Sequence, residues 1–123
     1  MRSHAHLLMK AKNIEYTFKA DEKLNALTLP MQTRKNFYLI FKEAINNLLK
    51  YSQATRVAIV LNYENNKIEL LIRDNGIGFD TSNPPRGNGL ESMRQRAHEI
   101  KAQFAIESGG EKGTSVELNF KAI

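Results

Sequence analysis

The chain has 123 residues, of which 41% are hydrophobic and 25% are charged, and its net charge is +5. This balance predicts one folded domain and excludes a disordered chain. Because cysteine is absent, disulfides, thiolate zinc sites and cysteine nucleophiles are excluded. The basic excess is scattered without an aromatic array, so it indicates a solvated surface and not a nucleic-acid partner. No apolar stretch approaches the roughly 18 residues of a membrane span, and no signal peptide is visible, so a cytoplasmic location is expected.

The first half of the chain predicts extended segments followed by a long helix. Residues 1–12 show no clear period and are interpreted as a linker, the end of a preceding dimerisation helix or a cloning remnant. Ile14, Tyr16 and Phe18 alternate with polar residues, as in a half-buried strand. A turn at 21–23 and a second extended piece at 24–29 are expected next. Apolar residues at helical spacing then predict a helix from about residue 33 to residue 53.

The second half predicts a hairpin, a helix and a second hairpin. Strands at 57–61 and 68–72 flank a turn at 64–67, whose Asn-Asn pair is typical of hairpin turns. A polar loop at 81–88 precedes a helix at 90–101, and strands at 103–107 and 114–120 close the chain. This order predicts an α+β fold, a two-layer α/β sandwich whose mixed, largely antiparallel sheet carries its helices on one face.

The polar face of the long predicted helix carries three residues with chemical potential. Glu43, Asn47 and Lys50 fall within about 60° of one another at helical spacing. An asparagine oxygen is a neutral ligand that suits Mg²⁺ bridging substrate phosphates. Lys50 can neutralise a phosphate, and Glu43 can orient or deprotonate an attacking group. The plain alternative is a solvated helix face.

Two glycine-rich segments follow. The first is Asp74-x-Gly76-x-Gly78, in which the carboxylate can accept from an exocyclic amine such as that of adenine, while the glycines allow a flat ligand to approach closely. The second, Gly87-Asn88-Gly89-Leu90, opens a helix whose N-terminal amides suit a phosphate. A capped tight turn and an ordinary loop are the respective alternatives. The second segment lacks the Gly-Lys-Ser/Thr ending of a Walker loop.

Taken together, these segments resemble the GHKL ATPase superfamily of gyrases, heat-shock chaperones, histidine kinases and mismatch-repair ATPases. Residues 43–52 (EAINNLLKYS) resemble the N box, residues 74–79 (DNGIGF) and 87–90 (GNGL) the two glycine boxes, and Gly113-Thr114 the late Gly-Thr pair. The phrases QAT at 53–55, GLESMRQRA at 89–97 and IES at 106–108 are similar to sensor histidine kinases of the nitrate-sensor and lipid-fluidity-sensor type. One departure is Lys101-Ala102, where relatives carry Gly-Gly, which predicts a differently shaped helix end.

The resemblance implies a histidine-kinase-like, ATP-binding catalytic domain with the Bergerat fold over residues 13–123. Its implied cofactors are ATP and Mg²⁺. On the phosphate side it implies Asn47 as the Mg²⁺ ligand, Lys50 as a phosphate contact and Glu43 at the position of the general base of hydrolytic members. The remaining nucleotide-binding positions implied are Asp74 at the adenine amino group, Gly76, Gly78, Gly87, Gly89, Leu90 and Thr114.

The resemblance also implies partners. The γ-phosphoryl is expected to pass to a histidine on a separate dimerisation domain and then to a response regulator, within a homodimeric parent that can be membrane-anchored. This fragment itself is expected to touch neither membrane nor nucleic acid. Because the dimerisation helices with their acceptor histidine are missing, it should bind ATP without autophosphorylating. A stand-alone serine kinase of the anti-sigma-factor type and a non-catalytic nucleotide-binding module remain the alternatives.

Overall fold

A computed structural model of the chain describes residues 1–78, 89–108 and 113–122. Its five strands form one sheet in the order β1-β2-β3-β5-β4, in which β1 and β2 are parallel and the other pairs antiparallel. The predicted mixed, largely antiparallel sheet is therefore confirmed. No helix in the described ranges is long and apolar enough to cross a bilayer. The elements are α1 (Arg2–Ala11), β1 (Glu15–Ala20), α2 (Met31–Asn47), β2 (Arg56–Glu64), β3 (Lys67–Asp74), α3 (Leu90–Glu99), β4 (Gln103–Ser108) and β5 (Thr114–Lys121).

The core lies between one face of this sheet and the helices. Alternate residues of β2, β3 and β5 are buried, and the strand register aligns them in rows such as Ile59, Ile72 and Val116. Because side chains alternate across a strand, the intervening residues form the opposite, more exposed face. Helix α1 contributes Met9, α2 contributes Ile40 and Phe41, and α3 contributes Met93 to one core cluster with the strand residues, which confirms that the helices share one side of the sheet.

The β2–β3 hairpin turns where the Asn-Asn pair predicted it. Asn65 and Asn66 have φ angles of 53° and 63°. Two consecutive left-handed residues are the requirement of a type I′ turn, whose twist matches that of the flanking strands. Asparagine tolerates this conformation better than other residues with a Cβ, so local chemistry was sufficient to place this turn.

Residues 2–11, which have no clear period in the sequence, form helix α1 and pack on the domain. Ala5 and Met9 are fully buried, and the Arg2 guanidinium lies 4.6 Å from the centre of the Phe18 ring. The His6 imidazole shares a hydrogen bond with the hydroxyl of Tyr16 on β1. The assignment of this segment to a preceding dimerisation helix stays a prediction.

The extended piece predicted at 24–29 is wrong over its first half. Residues Glu22–Ala26 form a 3₁₀ helix instead, and the side chain of Asp21 accepts a hydrogen bond of 2.9 Å from the Lys23 amide at its start. An aspartate cap stabilises a helical turn locally, and this outweighs the alternating apolar pattern. The predicted end of the long helix also differs: α2 ends at Asn47 and continues as a π-helical turn, Leu48–Ser52.

Helix α3 ends two residues before the predicted residue 101, in a Schellman motif. The Ala102 amide donates to the Ala97 carbonyl at 2.9 Å and the Lys101 amide to the His98 carbonyl at 3.0 Å. This arrangement requires a left-handed residue, and Lys101 adopts φ 56°. The end therefore has the shape that glycine normally provides, although a lysine supplies it. The prediction that this helix end differs in shape from that of relatives stays a prediction.

Replacing this lysine by glycine should stabilise the domain. A left-handed residue with a Cβ is strained, and Lys101→Gly relieves the strain while adding freedom to the unfolded chain, so we expect a gain of about 0.5–1 kcal/mol in the free energy of unfolding. Urea denaturation measures it. Lys101→Ala is the matched control because it removes the same charge but keeps the Cβ. An equal gain in both variants would show that the lysine side chain, and not the backbone, is responsible.

Candidate functional site

Asp74 is the last residue of strand β3. One of its carboxylate oxygens accepts hydrogen bonds, and the other accepts none from the described residues. Its side chain is only 8% exposed. Oδ1 accepts from the Gly76 amide at 2.8 Å and from the Thr114 amide at 3.3 Å. Oδ2 is buried and has no hydrogen-bond partner in the part of the chain that the structure describes. A buried, unused acceptor of this kind calls for a donor from a ligand.

The surroundings of Asp74 act on its ionisation in opposite directions. Burial raises the pKa of the carboxyl above its usual value of 3.8, whereas the amide donors of Gly76 and Thr114 lower the pKa. Burial dominates. The carboxylate is thus removed from water, and the hydrogen bonds from the described residues replace only part of its hydration.

Asn47 is the second buried polar group whose side-chain atoms make no hydrogen bond within the described residues. It is the last residue of α2 and is 6% exposed, and neither its Oδ1 nor its Nδ2 has a hydrogen-bond partner within the described residues. The polar stripe of α2 faces α3: Asn36, 3% exposed, donates to the Arg96 carbonyl and to Glu99. A solvated helix face is therefore excluded as the explanation of Asn47.

Asn47, Asp74 and Thr114 line one pocket between α2, α3 and the sheet. The space enclosed is about 10 Å³, which is about the room that one water molecule needs. The Thr114 hydroxyl is oriented by a 2.7 Å hydrogen bond to that of Ser108. The rest of the lining is apolar and comes from Ala44, Leu48, Ile72, Met93, Ile106 and Val116.

Glu43 lies outside this pocket. It lines a polar groove between α2 and α3, together with Lys42, Asn46 and Arg96. Its carboxylate lies against Gly89, the N-cap of α3: a Cβ added to Gly89 would come within 2.2 Å of Oε1 of Glu43. Gly89 also has φ 76°, so both conformation and space favour glycine there.

The other predicted site residues divide into three groups. Gly76 and Gly78 continue the turn after Asp74, and the Gly76 amide holds the carboxylate. Lys50 is exposed in the π-helical turn, and Leu90, 3% exposed, belongs to the core beside the pocket. Gly87 lies outside the described residues. The three motifs thus converge on one end of the sheet, but only Asn47, Asp74 and Thr114 line the same pocket.

Sequence reasoning missed two kinds of site residue. Met93, Ile106 and Val116 lie within the predicted helix and the two last predicted strands, but nothing in an apolar pattern distinguishes the wall of a pocket from a core. The importance of Asn75, which follows Asp74, was also missed. Its side chain makes three hydrogen bonds to the start of β2, and the only signal available was the turn propensity of Asn-Gly.

This fold, with a buried amide and a half-bonded carboxylate facing one pocket, is that of the GHKL ATPase class. Residues 32–122 match the family of histidine kinase-, DNA gyrase B- and HSP90-like ATPases. The sensor protein VraS of Staphylococcus aureus is 34% identical over 101 residues, which cover 81% of this chain and 29% of VraS. The chain belongs to this ATPase family, and the predicted resemblance to the GHKL superfamily is confirmed.

Solved histidine kinase structures show the same fold. The histidine kinase domain of the blue-light activated kinase EL346 from Erythrobacter litoralis superposes with a TM-score of 0.78 at 18% identity, over 96% of this chain and 57% of that one. Histidine kinase AdeS of Acinetobacter baumannii gives 0.71 at 16% identity, over 98% and 64%. The chain spans about 29% of the length of the curated relatives it matches.

Proposed function

We propose that this chain is the Mg-ATP-binding catalytic domain of a sensor histidine kinase, which presents the γ-phosphoryl of ATP to a histidine on a separate dimerisation domain. One observation carries the proposal: Asp74 Oδ2 and both amide atoms of Asn47 are buried and have no hydrogen-bond partner within the described residues, and both residues line one pocket. An unsatisfied buried polar group costs about 1–3 kcal/mol, so a ligand that satisfies these atoms is strongly favoured.

The adenine end of the proposed site is the Asp74 end. Oδ2 is suited to accept from the exocyclic amine of adenine, and the apolar lining suits the faces of the ring. A purine needs more room than the 10 Å³ enclosed, so a wall has to move. Met93 is suited to that because an unbranched thioether adapts its shape at little cost. Thr114 stands beside the carboxylate and holds it through its own amide.

The phosphate end is the Asn47 end. No group of three or more histidine, aspartate or glutamate side chains that could hold a metal lies within the described ranges. Mg²⁺ bound here would therefore take one oxygen from Asn47 and the rest from phosphates and water, the coordination this ion prefers. Lys50, one turn beyond Asn47, would supply a positive charge, and Gly89 would present the amides of α3.

Phosphoryl transfer makes modest demands on such a domain. It depends mainly on positioning and charge neutralisation, and bound Mg²⁺ would neutralise the phosphates. The residues of this chain would bind and orient the nucleotide, and Glu43, on α2 beside the N-cap of α3, would orient the attacking group. The proposed acceptor histidine, response regulator and homodimeric arrangement belong to the parent kinase, and the location proposed for this domain is the cytoplasm.

Calorimetry and radiolabelling test this proposal. Titration with ADP and Mg-ATP is expected to show binding to the isolated chain. Incubation with γ-labelled ATP should leave the chain unlabelled, whereas the parent kinase should acquire label on histidine, recognised because it is lost in acid and kept in base. Failure to bind either nucleotide would sink the proposal. Stable label on serine of a partner protein would favour the serine-kinase alternative.

Asn47→Ala should remove the contribution of Mg²⁺ to ATP binding. We expect the affinity for Mg-ATP to fall about tenfold, which is the effect of losing one charge-assisted contact. The affinity of the variant should then equal that of wild type for ATP in EDTA, where Mg²⁺ is removed. The free energy of unfolding should stay unchanged because the Asn47 side chain makes no hydrogen bond within the described residues that the substitution would remove. Asn46→Ala is the matched control, because Asn46 is the neighbouring residue but lines the groove between α2 and α3 and not the pocket. A loss of equal size with and without Mg²⁺ would contradict the metal role.

A further inference from the structure

The side chain of Asn75 ties the end of β3 to the start of β2. Its Oδ1 accepts from the amides of Thr55 and Arg56, both at 2.9 Å, and its Nδ2 donates to the Thr55 hydroxyl at 2.9 Å. Its own amide donates to the Arg56 carbonyl at 3.2 Å. Four hydrogen bonds therefore join one residue to one dipeptide. We call this set the Asn75 clamp.

The clamp adjoins the carboxylate proposed to recognise adenine. Asn75 lies between Asp74 and Gly76, and the Gly76 amide is the closer of the two donors to Asp74 Oδ1. The direction of the open Oδ2 depends on this turn, because both oxygens belong to one rigid carboxylate. Asn75 itself is exposed and does not line the pocket. It can therefore act on a bound base only through Asp74.

The clamp also closes the chain segment that begins at Asn47. From Asn47 the chain runs through the π-helical turn to Gln53, which has φ 54°, and reaches Thr55 two residues later. The Thr55 carbonyl accepts from the Glu15 amide at 3.0 Å, which holds the same dipeptide to β1. Thr55 is thus held on two sides. Through it, the clamp connects the segment that follows Asn47 with the turn that follows Asp74.

Building on the proposed function, we infer that Asn75 is a positioning residue for base recognition: it aims Asp74 Oδ2 so that the pocket selects an adenine nucleotide over one without the exocyclic amine. A purely structural role would show chiefly in stability. The clamp is exposed, however, so water can satisfy the groups it leaves, and the cost to folding is modest. Water cannot correct the orientation of the Asp74 carboxylate in the same way, because that carboxylate is buried.

Calorimetry with ADP and IDP distinguishes the two roles. IDP carries a carbonyl where ADP carries the amine, so its oxygen would face Asp74 Oδ2 without a shared proton. Wild type should prefer ADP. Asn75→Ala should weaken ADP binding at least tenfold and change IDP binding less than twofold, at a temperature where circular dichroism shows every variant folded.

Two further variants test the inference. Asn75→Asp keeps the acceptor for the Thr55 and Arg56 amides, and the Thr55 hydroxyl can rotate to donate to it, so this variant should restore most of the ADP preference. Asn62→Ala, an exposed asparagine at the far end of β2, is the matched control and should change neither affinity.

The outcomes separate the inference from the function on which it rests. If wild type binds ADP but Asn75→Ala keeps the ADP-to-IDP ratio, the clamp is only structural and the inference is overturned. It is equally overturned if Asn75→Asp fails to restore the ratio, or if wild type does not prefer ADP. If wild type binds neither nucleotide, the proposed function itself fails.

Discussion

Asp74→Asn is expected to weaken ADP and Mg-ATP binding about 100-fold, because the new amide donor would face the amine donor of adenine in a buried site. The variant keeps Oδ1 for the amides of Gly76 and Thr114. Its new Nδ2 replaces the open Oδ2, so it would face the adenine amine with no acceptor between them. Calorimetric titration with both nucleotides measures the loss.

The same variant should be more stable than wild type near neutral pH. Burial raises the pKa of Asp74 above 3.8, so the folded state holds this proton more tightly than the unfolded state does. Stability from this group therefore falls as pH rises from 3.8 through the raised pKa, and it is not regained above that. Asparagine carries no charge, so its advantage in urea denaturation should be larger at pH 7 than below pH 3.8.

Binding by wild type should respond to acid for the same reason. Protonation fills the acceptor, so nucleotide affinity is expected to fall as pH drops through the raised pKa of Asp74. Asp21→Asn is the matched control, since that aspartate caps a 3₁₀ helix away from the pocket. If Asp74→Asn bound ADP as tightly as wild type does, the proposed contact between adenine and this carboxylate would be contradicted.

Gly113→Ala should destabilise the domain by about 3 kcal/mol, because it combines a strained left-handed backbone with a contact that cannot relax. Gly113 has φ 73°, and a Cβ there would lie 2.1 Å from the backbone oxygen of Asp74. Either β3 or β5 has to move. Urea denaturation measures the stability, and ADP titration should show weaker binding because the shift displaces Asp74.

Gly89→Ala is the informative comparison for Gly113→Ala. Its φ of 76° is nearly the same, but the atoms that its Cβ would meet belong to the end of the Glu43 side chain, which can rotate away. We expect it to cost about 1 kcal/mol, the strain of a left-handed alanine alone. Equal losses in the two variants would show that backbone strain, and not the contact with Asp74, sets the cost at Gly113.

The sequence by itself determined those features that depend on neighbours in the chain. Alternation located the strands and their buried faces, helical spacing located α2 and α3, and Asn65-Asn66 located a hairpin turn. The order of Asn47, Asp74 and the glycine segments was sufficient to indicate the family. These signals are local, because strand period, helix period and turn chemistry act within a few residues.

Only the tertiary structure decided features that depend on residues distant in the chain. The polar stripe of α2 has the sequence pattern of a solvated face, but α3 packs against it in the structure and Asn47 is only 6% exposed. Lys101 adopts a left-handed conformation because the Schellman hydrogen bonds and the packing of α3 outweigh its local preference. Asn75 forms its clamp because strand pairing brings residue 55 beside it. The atoms of Asp74 and Asn47 that lack a hydrogen-bond partner within the described residues show the same dependence: burial, which a sequence does not record, turns two common polar side chains into the proposed binding site.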